Sequence, residues 1–178
     1  MRPSIIHVAE DMDVLAGGVP AVVRQLSKRL SELGYELTLA HVSGDASDLG
    51  DIATIIKCVP HGFLRSWRHS PELASCLEDS TPIREQTDSL FHIHGVWKAP
   101  QVMAARYSAK SSIPCLFSVH GMLEPWLWKK QGIVHRLKKR CSGLCSPRTI
   151  YLIPPHCTLL LHSNVITFMP CCRAVKLR

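Results

Sequence analysis

Two hydrophobic rhythms alternate along residues 1–140. Short apolar, β-branched runs at Ser4–Ala9, Glu36–Val42, Ala53–Val59, Ser89–Ile93 and Ile113–Val119 read as buried strands. Between the first two, Val22, Val23, Leu26, Leu30 and Leu33 recur at helical spacing, with Arg24, Lys28, Arg29 and Glu32 on the polar side. Pro20 falls in a first turn, where a helix accepts proline, and Gly34 is a natural stop. Ser70-Pro71-Glu72 opens a short helix with Ser70 as its cap. Pro100–Lys110 reads as a further helix, His120–Trp128 as a loop or short helix, and Gln131–Arg140 as a basic helix.

Strands alternating with helices predict an α/β fold, a Rossmann-like parallel sheet flanked by helices. Ligands of such sheets bind outside the carboxyl ends of the strands. The unusual residues fall there. Gly17-Gly18 follows the first strand, His92, His94, Gly95 and Trp97 close the fourth, and His120-Gly121 closes the fifth. That placement is the main sign of a binding cleft.

The chain of 178 residues is long enough for one domain with a real core, and 46% hydrophobic against 20% charged residues excludes wholesale disorder. No apolar run reaches the roughly 18–20 residues that a membrane span needs. The first residues meet Glu10, Asp11 and Asp13 where a secretory signal would be apolar, so a cytoplasmic location is expected, with work at the inner face of the membrane as an option. The net charge of +7 is uneven: residues 1–140 carry 17 basic and 14 acidic side chains, and residues 141–178 carry four basic and none acidic. Five of the eight cysteines, Cys141, Cys145, Cys157, Cys171 and Cys172, lie in that last stretch. Without a secretory signal a disulfide framework is not expected, and no paired C-x2-C knuckle is present for zinc.

Each motif has a plain reading beside its functional one. Gly17-Gly18 before a helix lets backbone approach a phosphate or sugar, but it also suits any tight turn. It is not G-x-G-x-x-G, and no Lys-Ser/Thr follows, which argues against nicotinamide enzymes and ATPases. His92-x-His94 puts both side chains on one face of a strand. Two such residues can ligate a metal, and His120 can converge from the next strand, yet no third ligand has a telling spacing. Polar sugar or phosphate contacts rank above a metal, and a buried, hydrogen-bonded histidine remains the sober reading. Neither a metal nor a cofactor is expected. Trp97, Trp126 and Trp128 can stack on sugars, though such rings pack cores more often. The basic stretch from Lys129 to Arg140 suits either an anionic membrane or open solvent.

Taken in order, these stretches resemble the N-terminal domain of family 4 glycosyltransferases, retaining enzymes of the two-lobed GT-B fold. The matching segments are Ile5–Glu10, Ala16-Gly17-Gly18-Val19-Pro20, Leu30–Thr38, His92-Ile93-His94-Gly95-Val96-Trp97 and Ser118-Val119-His120-Gly121-Met122-Leu123-Glu124-Pro125-Trp126. The last is the most specific. The resemblance implies a sugar transferred from a nucleotide-sugar donor to a glycan or lipid-linked acceptor, in polysaccharide or cell-envelope synthesis. It makes Gly17 and Gly18 the loop that meets the donor diphosphate, and His120 the catalytic strand-end residue that contacts the transferred sugar. His94, Trp97, Gly121 and Glu124 become substrate-binding positions. The family's donor lobe, with its paired glutamates seven residues apart, has no counterpart in these 178 residues. The expectation is an incomplete acceptor-side domain over residues 1–140 that is inactive alone.

Residues 141–178 match nothing in the resemblance and are expected to form an irregular tail. They read as an out-of-frame segment. When each codon is rebuilt from the last base of one printed codon and the first two of the next, the residues from Leu161 permit Ser-Leu-Glu-Arg-Asp-Asn-Phe-His-Ala-Leu-Leu-Pro-Gly-Ser-Glu-Ile-Lys. Met169-Pro170 must then give Ala, as that string requires. Two rivals stand beside the enzyme: a non-catalytic nucleotide- or glycan-binding module, and a basic nucleic-acid binder. The second lacks aromatics interleaved with a basic groove, so nucleic acid is not an expected partner.

Overall fold

The computed structural model describes residues 4–61, 67–79, 89–122, 157–161 and 164–167, the last two segments as backbone alone. The elements run β1 (Ser4–Asp11), α1 (Gly18–Glu32), β2 (Glu36–Ser43), β3 (Thr54–Lys57), α2 (Pro71–Asp79), β4 (Ser89–His94), α3 (Ala99–Ser111), β5 (Cys115–Ser118), β6 (Cys157–Leu161) and β7 (Asn164–Thr167). Single 3-10 turns at Val14–Ala16 and Ser47–Leu49 follow β1 and β2.

The strands form one sheet in the order β3-β2-β1-β4-β5-β6-β7. All neighbours are parallel except β6 and β7. The expected five-stranded parallel sheet flanked by helices is therefore present. The tail, expected to be irregular, contributes two strands to it; its other residues lie outside those described.

Strand alternation sorts the sheet into two unlike faces. Ile6 and Val8 of β1, Phe91 and Ile93 of β4 and Phe117 of β5 cluster with Leu73 and Leu77 of α2 and Ala104 and Ala105 of α3. Burying several large apolar side chains, each worth about 1.5–3 kcal/mol, makes this layer the main core. On the opposite face Ala9 and Leu39 pack with Val23 of α1. The same face carries His7, which pairs in register with His92 of β4. Helix α1 starts with Pro20 buried in its first turn and ends at Leu33, with Gly34 at φ +87° as the left-handed stop.

Two local expectations change. Ser70 precedes α2 as expected, but its buried hydroxyl makes no hydrogen bond, so it does not cap through its side chain. Its carbonyl accepts from Leu73 N instead. Cys115 is disulfide-bonded, where no disulfide framework was expected; the partner side chain lies outside the described residues.

Candidate functional site

The strand order reverses between β1 and β4: the chain moves outward to β2 and β3 on one side, then to β4 and β5 on the other. A crevice opens at the carboxyl end of such a switch point. Charged side chains meet there. Arg68 lies 3.5 Å from Glu10 and 3.1 Å from Asp11, and Lys98 lies 3.3 Å from Glu10. All four are partly buried, between 21% and 34% exposed, where ion pairs are worth more than on open surface. Arg68 takes a left-handed backbone, φ +59°, to reach them. The sequence reading did not single out this cluster, because its partners are 57 and 88 residues apart.

Next to it lies a row of imidazoles. His7 and His94 are fully buried and His92 nearly so. His7 Nδ1 is 3.0 Å from His94 Nε2, and His94 Nδ1 is 3.0 Å from His120 Nε2. His92 Nε2 is 2.7 Å from Ser118 Oγ. Burial, helped by neighbouring imidazoles, lowers the His7 pKa to about 3 and that of His92 to about 4, and holds His94 well below its ordinary 6.5. The three rings are therefore neutral at pH 7.

Neutrality constrains the protons. Each neutral ring has one N–H and one lone pair. If His7 Nδ1–H donates to His94, then His94 Nδ1–H donates to His120, and the end left over is a lone pair at His7 Nε2, the atom without a partner. The reverse polarity would bury an unpaired N–H there, which is the costlier defect. The first arrangement is favoured, and it makes His120 Nε2 an acceptor.

The glycine-rich turn is positioned from below. Gly17 has φ +107° and ψ −153°, and Gly18 begins α1; a Cβ at either would meet no atom within 4 Å, so both backbones are open to a ligand. Arg24 of α1 anchors the preceding loop. Its guanidinium donates to Met12 O at 2.9 Å, Asp45 O at 2.6 Å and Asp48 Oδ2 at 2.9 Å. Arg24→Ala would leave two carbonyls and a carboxylate without this donor, and a loss of about 2–3 kcal/mol is expected in denaturant unfolding. An open depression beside Arg24 is lined by Asp13, Asp45 and Asp48. Arg24 lines it too, but three carboxylates against one guanidinium disfavour a phosphate there.

His120 and Gly121 close β5 with left-handed backbones, φ +50° and +74°, and the ring of His120 reaches His94. Trp97 donates from Nε1 to Met122 O at 3.4 Å, across the β4 and β5 ends. His94 is 1% exposed, and of the strand-end residues its ring meets His120. Glu124, Trp126, Trp128 and the 129–140 basic stretch lie outside the described residues. The unforeseen member is His7. It stands in a run that reads as an ordinary buried strand, and only the β1–β4 register brings it to His92.

A family model for Glycosyltransferase Family 4 matches residues 16–151. The chain belongs to glycosyltransferase family 4. Comparison with curated proteins and with solved structures gives no match. The family 4 match spans α1 to β5, so it includes both glycines and His120, and it runs past position 140 to Tyr151. Among the described residues of this glycosyltransferase domain, no helix is long and apolar enough to cross a membrane.

Proposed function

We propose that this domain serves the transfer of a sugar from a nucleotide-sugar donor to a glycan or lipid-linked acceptor, and that it supplies the acceptor side of the cleft. The observation that carries the reading is the placement of Gly17-Gly18, Trp97 and His120 after the carboxyl ends of β1, β4 and β5, on the switch-point edge of a family 4 domain. Open glycine backbone at the start of α1 offers N–H groups and the positive end of the helix to a diphosphate. His120, fixed by His94 from behind, presents an oriented imidazole to the transferred sugar. Val14 and Leu15, 73% and 92% exposed beside Gly17, form an apolar tip suited to being covered by a facing donor lobe.

In this reading His120 is the catalytic position, and Gly17, Gly18, His94, Trp97, Gly121 and Glu124 shape the substrate sites. Stabilisation of the leaving diphosphate falls mostly to the donor lobe, so the 178-residue chain taken alone binds and does not turn over. Residues 141–178 belong to another reading frame, and the enzyme works in the cytoplasm against the inner membrane face.

The test is calorimetric titration of the chain with uridine and guanosine diphosphate sugars, compared with Gly18→Val. Weak heat from one nucleotide class, lost in the variant, supports the reading. Silence with every donor, together with binding of a free nucleotide or glycan insensitive to Gly18→Val, favours a non-catalytic binding module.

A further inference from the structure

We propose that His7, His92 and His94 form a binding site for a divalent first-row transition ion, zinc by preference, on the α1-side face of the sheet. One ring nitrogen from each of the three lies within 4.8 Å of the others. Nitrogens bound to one tetrahedral zinc at about 2.0–2.1 Å sit about 3.3 Å apart, so the set, now within 4.8 Å, has only to draw in. The ring centroids are 5.2 Å apart for His7 with His92 and with His94, and 4.2 Å for His92 with His94. Small ring rotations close the set.

The surroundings offer an ion one unused buried nitrogen and two rings already held from outside. His7 is fully buried, yet its Nε2 has no hydrogen-bond partner. Buried polar atoms are seldom left so. The other two rings already hold the outer contacts that metal-bound histidines use. His92 can donate Nε2–H to Ser118 Oγ, which leaves its Nδ1 lone pair for the ion. His94 can donate Nδ1–H to His120 Nε2, which leaves its Nε2 lone pair. An ion accepts one lone pair from each neutral ring, from His7 through Nε2, with no proton released; His7 Nδ1–H gives up its His94 acceptor in exchange. Three neutral nitrogens without a carboxylate favour zinc, copper or nickel over magnesium or calcium. The site is distinct from the diphosphate loop. Through His94 and His120 it is linked to the crevice, so an ion there would set the orientation of His120.

The test is titration of chelator-stripped protein with Co2+, followed by zinc displacement. The cysteines of residues 141–178 are rival ligands, so all five are also changed to serine in a second protein, in which Cys115, left without its disulfide, is changed to alanine. The expected result is one equivalent of Co2+ per chain with tetrahedral visible bands and no thiolate charge-transfer band. The spectrum should persist in the five-serine protein and in the exposed-site control His61→Ala, and vanish in His92→Asn. Absence of stoichiometric binding, or a thiolate band that disappears with the serines, would overturn the proposal. Should His92→Asn fail to fold, nitrogen NMR of the unaltered chain decides. Zinc must shift the ring nitrogens of His7, His92 and His94, and unmoved resonances rule the site out.

Discussion

Metal-free protein should lose stability steeply between pH 6.5 and 5, before most carboxylates are protonated. The cause is the buried histidine row. Folded His7 and His92 refuse a proton until about pH 3 and about pH 4, whereas in the unfolded chain both ionise near 6.5. The folded pKa values lie below the unfolded ones, so the stabilisation is complete above pH 6.5. It drains away as pH falls toward the folded values, because the unfolded state then binds more protons. Each group contributes a slope of about 1.4 kcal/mol per pH unit across that window. From pH 6.5 to 5 the two together remove on the order of 3 kcal/mol, and His94 and His41, both lowered chiefly by burial, add in the same direction. Against a total of about 5–15 kcal/mol for a typical domain, that is a large share. Urea unfolding with a chelator present, repeated at half-unit pH steps, measures it. A midpoint that stays constant over this range, or ring protons of His7 and His92 that titrate near 6.5 in NMR, would show that the row is solvated and the argument wrong.

Gly44→Ala is expected to be the most damaging single methyl in the described structure. Gly44 follows β2 with φ +79°, where an L side chain is strained by roughly 1–2 kcal/mol. Its Cβ would sit 2.1 Å from Asp13 N, 2.5 Å from Met12 C and 2.8 Å from Asp11 Oδ1. The obstacle is mainly backbone, and it is tied down. Met12 N donates to Ser43 O at 2.9 Å, the Met12 side chain is fully buried, and Asp13 N donates to that same Asp11 oxygen. Overpacking adds about 1–3 kcal/mol, for a loss of about 2–5 kcal/mol in all. Gly18→Ala is the matched control. It meets open space at the start of a helix and should move stability by no more than about 0.5 kcal/mol. Equal unfolding midpoints for the two variants would mean that the β1 and β2 loops do not interlock as described.

Much of the frame was legible in the sequence because it depends on local periodicity. The Val22–Leu33 repeat, Pro20 and Gly34 marked α1, and the apolar runs marked the five parallel strands to within a few residues. Two polar positions in a strand, His92 and His94, necessarily share a face, and they do. The strand-end placement of Gly17-Gly18, His94 and His120 followed from the same counting, since α/β sheets present their loops on one edge.

What sequence could not supply was register across distant segments. That His7 stands opposite His92 rather than opposite Phe91 or Ile93 is decided by how β1 and β4 bury Ile6, Val8, Phe91 and Ile93 against α2 and α3; a slip of one residue would turn every one of those side chains to the wrong face. The same holds for Arg68 and Lys98 at Glu10, and for the closeness of Gly44 to Asp13. The single chain determined which residues alternate and where each element begins. Only tertiary packing decided which histidines touch, because burial of the apolar face fixes the register and the polar face follows from it.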